Sequence, residues 1–560
     1  MTSPSSSPDP APEAPGTPDS TPTCDVAVLG GRLSAGILAT VLAAHGARVT
    51  VVDDGAPPAV PQSAMGVHAS ALIRVIAERY EVPELAHLAT VDGVREHVTT
   101  TVGAEHAHSF LYHRPGRPLN PDELVQVCPP KGSPPDPHYY RPEVDAHLLR
   151  LAENKGARVL RGAKATEVAP DAEGVTVRLA EGEPVRARFL VDASGPDSPL
   201  VERLGLREEP TRFTTSTRTL ATHMRGVRPL ESVVADRPEE FRSPVAWSRG
   251  SNHHMADGVR LSVIPLGNHP EPGGDGPFGV TLTVDAGTAG STANSPEAEF
   301  REIVSRFPTL AAQFEGARAE GEWTVTTRDQ HSVREVVGER WCLLGDAAGY
   351  VDPFISRGLS TALETVNVLT WRLLRALARD DFTPERFAPV GEFLLAHQDA
   401  NDQLAAMAHA SLRDPRLLKS VLFVLEVGFR YGGFPMMIAH ARFRSTGDDS
   451  ELRALETLPH TGHVFPGHEG FYRLFGATAT ICAQVRAGTL DADTASERVF
   501  RMVREADFVP AAFEFRDPSV RFLRITPVTM LRLALWSFRG APKDIAPLIR
   551  GGLKAVLRGG

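Results

Sequence analysis

Read for the spacing of its apolar positions, the chain first becomes regular at Cys24. Asp25-Val26-Ala27-Val28-Leu29 is a short apolar run of the kind a doubly buried strand requires. Gly30-Gly31 is a turn, and residues 33–45 are an Ala/Leu-rich helical segment that Gly46 stops. Arg48-Val49-Thr50-Val51-Val52-Asp53 repeats the strand pattern, so residues 24–53 are predicted to form a βαβ unit with parallel, buried strands. Further strands are predicted at 157–160, 175–179 and 187–192. Between 212 and 322, apolar and polar residues alternate between Gly/Pro turns, which predicts a second, sheet-rich region in which 261–265 ends a strand. From Leu359 onward the helical period dominates, through 364–376, 389–412 and 493–505. The predicted fold class is therefore α/β. A Rossmann-type nucleotide-binding domain is assembled from 24–211 and 323–380, with a sheet-rich substrate region at 212–322 and a helical C-terminal region at 381–560.

Composition narrows the class without naming a chemistry. The 560 residues carry 59 Lys+Arg against 69 Asp+Glu, a net charge of −10, and are 42% hydrophobic. A chain this long buries a large enough fraction of its surface to need neither disulfides nor a structural metal. The acidic balance argues against a dedicated nucleic-acid binder. Cys24, Cys128, Cys342 and Cys482 are too far apart for a C-x-x-C pair and too few for a secreted disulfide scaffold, which fits a reducing cytoplasm. Residues 1–23, built of Pro, Ser, Thr and Ala, are predicted to be a disordered tail and not a signal peptide. No uninterrupted apolar run approaches the roughly 20 residues of a bilayer-spanning helix.

Dinucleotide folds place a pyrophosphate against the first helix N-terminus, with glycines for the turn, for close backbone approach and for helix packing. Counting from Gly30, the second and third glycine positions hold Arg32 and Ala35; Gly31 and Gly36 offer an alternative register with Leu33 in the middle. The ribose-binding acid expected about 20 residues on is Asp53. A structural βαβ unit without nucleotide remains the alternative, and Arg32 offers phosphate binding through charge. The more specific segment is Trp341-Cys342-Leu343-Leu344 running into Gly345-Asp346-Ala347-Ala348-Gly349-Tyr350-Val351-Asp352-Pro353-Phe354-Ile355-Ser356-Arg357-Gly358-Leu359. A Gly-Asp turn at a strand end lets a carboxylate receive a ribityl hydroxyl, while the following backbone and the helix from Gly358 approach a flavin ring.

With Asp192-Ala193-Ser194-Gly195 after a strand, this arrangement resembles the FAD-dependent aromatic hydroxylase superfamily. The Asp352-Pro353-Phe354-Ile355-Ser356-Arg357-Gly358 stretch narrows the resemblance to flavin-dependent halogenases, in particular the branch of the chlortetracycline-pathway chlorinase. Supporting stretches are Ser109-Phe110-Leu111-Tyr112-His113-Arg114, Thr222-His223-Met224, Val245-Ala246-Trp247, His253-His254 and Ser445-Thr446-Gly447-Asp448-Asp449. The resemblance implies FAD as cofactor, held by Gly30, Gly31, Arg32, Ala35, Asp53, Gly345, Asp346, Pro353 and Gly358. It also implies a flavin reductase as redox partner and a small-molecule substrate, aromatic or polyketide-like, free or tethered to a carrier protein. In that family oxygen and halide react beside reduced FAD, and hypohalous acid reaches the substrate through a tunnel and a lysine.

The sequence departs from the family pattern in four segments. Arg32 and Ala35 alter the glycine loop and bear on FAD affinity. Pro61-Gln62-Ser63 replaces a Gly-Glu-Ser segment. Glu105 aligns with the lysine, and an ionised carboxylate has no hydrogen to donate. Arg260 and Ser262 stand where the W-x-W-x-I-P strand has its two tryptophans. These departures argue against conventional halogenation and leave three readings. The first is a halogenase-like FAD oxidoreductase of altered chemistry, with Ser356 beside the flavin. The second is a repurposed fold performing flavin-independent cyclisation or isomerisation, with Glu105 and Arg260 as an acid–base pair, or serving as a non-catalytic partner. The third is a halogenase whose lysine is relocated to Lys131 or Lys164. The imidazoles of His106, His108, His253 and His254 have no metal-ligand spacing and are read as polar or structural, so no metal is expected. Residues 521–558, basic and amphipathic, read as a packed helix pair or as a docking face for an acidic carrier or an anionic surface.

Overall fold

Two sheets share the work of building the interior. The computed structural model describes residues 23–56, 62–269, 276–287, 293–352, 354, 357–457 and 468–557. Pro61, Pro353, Ser356 and all of the expected tail except Thr23 lie outside the described residues.

The first sheet has the strand order Val337–Gly338, Trp341–Leu343, Val185–Asp192, Cys24–Leu29, Val49–Asp53, Arg158–Arg161. Its central strands pair in parallel, with Val28 opposite both Val191 and Val51. The Cys24–Leu29 strand is nearly all buried because Leu33–Ala44 and Arg141–Asn154 cover Val26 and Val28 on one face, while Ala27 and Leu29 join a second apolar cluster with Val175, Leu200 and Val201 on the other, which is why it reads as a continuous apolar run. Chain order proceeds outward from Cys24–Leu29 through Val49–Asp53 to Arg158–Arg161, then returns to its other side at Val185–Asp192. The strand order therefore reverses at the C-terminal end of Cys24–Leu29, where open α/β sheets bind ligands.

The second sheet has nine strands, and its central run is Thr217–Arg225, Phe278–Asp285, Val259–Pro265, Ser251–Ala256, His108–Tyr112, Leu124–Cys128, Phe522–Arg524. Alternation separates its two faces. Leu220, Leu261, Val263, Val280 and Leu282 point into an apolar cluster closed by the helices Pro296–Ser305 and Pro308–Gln313. The opposite set, Thr219, Arg260, Ser262 and Thr281, lines a cavity instead. The strands His108–Tyr112 and Leu124–Cys128, placed by sequence within the nucleotide-binding stretch 24–211, hydrogen-bond into this second sheet. So does Phe522–Arg524, from the helical C-terminal stretch. Parallel and antiparallel partners distant in sequence took these short strands, and no local periodicity reports such pairings.

The C-terminal region is helical: Pro384–Ser411, Pro415–Thr446, Glu469–Arg486, Ala492–Glu505, Pro527–Arg539 and Ile545–Leu557. Among the described residues, Pro415–Thr446 is long and apolar enough to cross a membrane by length and composition. It extends beyond the apolar runs visible in sequence, and its Phe423, Val427 and Tyr431 are fully buried in the cluster formed with its neighbouring helices. It is the core helix of this region.

Candidate active site

The floor of the site is made of backbone at the C-terminal ends of the parallel strands. Gly30 has φ +89°, and a Cβ there would lie 2.5 Å from the Ala193 carbonyl oxygen, so only glycine fits. A Cβ on Gly31 would meet the Asp53 carboxylate at 2.4 Å, and one on Gly36 would meet Leu148 at 2.8 Å, where Leu33–Ala44 crosses Arg141–Asn154. The glycine tasks of a dinucleotide loop are thus shared among Gly30, Gly31 and Gly36. Ala35 is fully buried inside the helix, so the loop is less altered than a count from Gly30 suggests.

Arg32 is the N-cap residue of Leu33–Ala44, in extended conformation, and its side chain makes no cap bond to the first-turn amides. Together with Leu33 and Ser34 it lines a cavity of about 250 Å³. Its guanidinium reaches the loop after Val185–Asp192, with Nη1 3.0 Å from where a Gly195 Cβ would sit. That loop is fixed by Asp192, whose carboxylate accepts from Ser194 N at 3.0 Å, Ser194 Oγ at 2.6 Å and Ser198 Oγ at 2.7 Å. Gly345, Asp346, Gly358 and Leu359 border the same cavity. These residues fit FAD. The helix N-terminus and Arg32 suit a pyrophosphate, Asp53 against Gly31 suits ribose hydroxyls, and the Gly345-Asp346 turn with Gly358 at the start of Arg357–Arg379 suits the ribityl chain and ring.

The cavity continues to the polar face of the second sheet, where Gln62, His253, Arg260, Ser262, Thr281, Asp329, Tyr350 and Asp352 line it. Asp329 is buried and accepts from Thr217 Oγ1 at 3.0 Å, Thr219 Oγ1 at 2.8 Å and Thr326 Oγ1 at 2.5 Å. Asp352 accepts from the same Thr217 hydroxyl at 3.0 Å, from His409 Nε2 at 2.9 Å and from Phe354 N at 2.6 Å. One hydroxyl proton cannot serve both acids at once, so the two carboxyls compete for it. Burial and the neighbouring charge of Asp352 push Asp329 up to about 6. Burial opposes ionisation of Asp352 as well, but His409 and Arg260 outweigh it and hold that carboxyl below its ordinary value. The Arg260 guanidinium lies over the Phe354 ring, 5.1 Å from its centroid. His253 donates to or accepts from Ser262 Oγ at 2.9 Å, and burial keeps its imidazole neutral, well below its ordinary pKa.

Glu105 is not part of this wall. Its carboxylate lies 2.7 Å from His138 Nε2 and 3.4 Å from His108 Nδ1, and accepts from Ser251 N at 2.8 Å. The other His138 nitrogen faces the Pro265 carbonyl at 3.1 Å, so both ring nitrogens meet acceptors, and with Glu105 they raise the imidazole's pKa against the effect of burial. Burial works against the Glu105 charge, yet His108, His138 and the Ser251 amide hold its pKa well below the carboxylate range. Among the described residues Glu105 and Arg260 form no ion pair, so the expected acid–base couple is replaced by a buried Glu105–His138 pair. Lys131 and Lys164 are exposed, and neither lines the cavity. His253 and His254 are buried, the latter 2.9 Å from His113. Arg357 turns toward Glu364 at 3.4 Å.

Asp329 escaped sequence reading because it belongs to no motif. The only available hint was the run Thr324-Val325-Thr326-Thr327-Arg328-Asp329-Gln330, polar where a sheet edge would otherwise be apolar. A larger cleft of about 660 Å³ between Pro384–Ser411 and Glu469–Arg486 shares none of these residues.

Comparison with known proteins agrees with this geometry. A family profile described as an FAD binding domain matches residues 23–381. The chain is 36% identical to tetracycline 7-halogenase of Kitasatospora aureofaciens over 537 residues, covering 95% of this chain and 96% of the relative. It is 33% identical to the monodechloroaminopyrrolnitrin halogenase PrnC of Pseudomonas fluorescens, covering 93% of each. The crystal structure of halogenase PltM with phloroglucinol and FAD superposes with a TM-score of 0.84 at 26% identity, covering 90% of this chain and 100% of that one. A backbone cradle that fits FAD and opens onto a polar wall, in a chain matched along nearly its whole length by such enzymes, makes this protein a member of the flavin-dependent halogenase family, an FAD enzyme related to the flavin monooxygenases.

Proposed function

We propose that the chain oxidatively tailors an electron-rich aromatic or polyketide-like natural-product intermediate, with Asp329 as the proton acceptor and without a lysine relay. The observation that carries the reading is the single cavity joining Arg32, Gly345, Asp346 and Gly358 to Asp329, Asp352 and Arg260, whose described lining includes no lysine. When bound and reduced by a separate flavin reductase, FAD supplies oxygen activation. The protein supplies the rest. Arg260 presents a cation for a phenolate, carboxylate or halide. Ser262, Thr281 and Gln62 orient polar substituents, Gln62 Nε2 lying 2.6 Å from Thr281 Oγ1. Electrophilic substitution on an aromatic ring releases a proton, and Asp329 is held where it can take that proton near neutral pH. Two named relatives frame the substrate class: the tetracycline 7-halogenase and a chlorinase of 1H-pyrrole-2-carbonyl-[peptidyl-carrier protein] from Pseudomonas fluorescens.

The test supplies purified protein with FAD, a flavin reductase, NADH, oxygen and chloride or bromide, using a tetracycline and phloroglucinol as probe substrates. Product mass separates oxygen insertion from halogen exchange. Oxygenated product that requires Asp329 is the expected result. Halogenated product formed equally by wild type and Asp329→Asn would overturn the reading.

A further inference from the structure

Seven large hydrophobic side chains are exposed among the described residues, and four of them sit on one helix. Val528, Leu531, Leu535 and Phe538 of Pro527–Arg539 are 56%, 60%, 49% and 70% exposed. Their spacing of three, four and three residues puts them on one face, while Leu533 and Ser537 are buried on the other. Cations surround the stripe. Arg524, Arg532, Arg539, Lys543, Arg550 and Lys554 are exposed, and the Arg550 guanidinium lies 5.1 Å from the Phe538 ring centroid. Residues 521–554 contain seven cationic side chains and one acid, Asp544, a net of +6 in a chain of −10, which leaves −16 on the remainder.

That distribution selects the occupant. A second copy would bring two +6 patches together in an isologous contact. An anionic bilayer presents its charge as a plane that also meets the acidic remainder, whereas a small acidic protein concentrates its charge on the patch. The position is also relevant to the cavity. Pro527–Arg539 follows directly on Phe522–Arg524, the edge strand of the second sheet, three strands from the Ser251–Ala256 strand that brings His253 to the cavity. At strand spacings of about 4.8 Å this is a separation of roughly 14 Å. We propose that the exposed face of Pro527–Arg539 docks a small acidic carrier protein that presents the substrate as a thioester. This extends the reading of the cavity as a substrate site, but binding is scored without turnover, so either idea can fail alone.

The test measures fluorescence anisotropy of a labelled acidic acyl carrier protein, in its phosphopantetheinylated form, against the full-length FAD-loaded enzyme. Two variants accompany it: Leu531→Ser/Leu535→Ser/Phe538→Ser and Arg532→Glu/Arg539→Glu. The expected result is saturable binding that weakens with salt and on the order of tenfold in each variant, with FAD binding and melting temperature unchanged. Equal carrier affinity in wild type and both variants overturns the proposal. So does an absence of carrier binding, whether accompanied by cosedimentation with phosphatidylglycerol/phosphatidylcholine vesicles or by dimerisation in light scattering that the serine variant abolishes.

Discussion

Two carboxylates, Glu105 and Asp329, are buried to almost the same degree, 3% and 5% exposed, and titrate in opposite directions. Glu105 lies against His108 and His138 and accepts from the Ser251 amide, so its charged form is favoured despite burial. Asp329 is buried and faces the ionised Asp352, and together these outweigh the three threonine hydroxyls that favour its charge, so the neutral form persists toward neutral pH. Burial alone therefore does not set the chemistry of a buried acid; the sign of the nearest charge does. The first arrangement yields a structural pair and the second a group able to exchange a proton at working pH, and only the second borders the cavity.

Replacing each acid by its amide tests this contrast most severely. Asp329→Asn is expected to lower kcat/KM by roughly 10²–10⁴-fold while leaving the fold intact. Wild-type activity is expected to rise as pH increases through about 6, as Asp329 loses its proton, and this limb should vanish in the variant. A pH–rate profile measured on both proteins decides, and an unchanged limb in Asp329→Asn would remove the role.

Glu105→Gln is expected to act on stability, costing about 3–5 kcal/mol because it leaves the buried His138 cation without its counter-charge. Denaturant unfolding reads the loss. The sign follows from the two shifts. Glu105, depressed from 4.5, contributes stability that is present above that pH and lost as pH falls through its folded value. His138, raised from 6.5, contributes stability that is present below that pH and lost as pH rises through its folded value. The difference between wild type and Glu105→Gln should therefore be greatest between pH 4.5 and 6.5.

Glu105→Lys sharpens the same point. It restores the family's lysine by alignment, yet it sets an ammonium against His138, so a protein less stable than Glu105→Gln and inactive in chlorination is expected. Recovery of chlorination with an undisturbed melting temperature would refute the structural assignment of Glu105. The smallest effect is expected at the cofactor floor, where Arg32→Gly should weaken FAD binding by roughly tenfold, about 1.4 kcal/mol, through loss of one charge-assisted contact. Fluorescence titration that instead shows tighter binding would mean that Arg32 obstructs the site.

Much of the first sheet was legible. Val26 to Leu29, Val49 to Val52 and the strand ahead of Gly345-Asp346 are buried on both faces, and doubly buried parallel strands leave continuous apolar runs that local reading detects. The resemblance carried by Asp352 to Leu359 also named FAD as the cofactor. The expected alignment of Glu105 with the family's lysine did not reveal its partner: His138 is 33 residues away and reaches Glu105 only because Gly103–Glu105 pairs with Asp136–Tyr140.

What the sequence by itself determined was the α/β class, the family and FAD as its cofactor, because these rest on local periodicity and contiguous motifs. Tertiary structure decided which buried acid borders the cavity and which is held in an ion pair. It brought Asp329, Asp352, Arg260 and His409 together from separate elements, and it gave Glu105 to His138. A pKa depends on charges within a few ångströms in space, and the order of residues along the chain does not encode those distances.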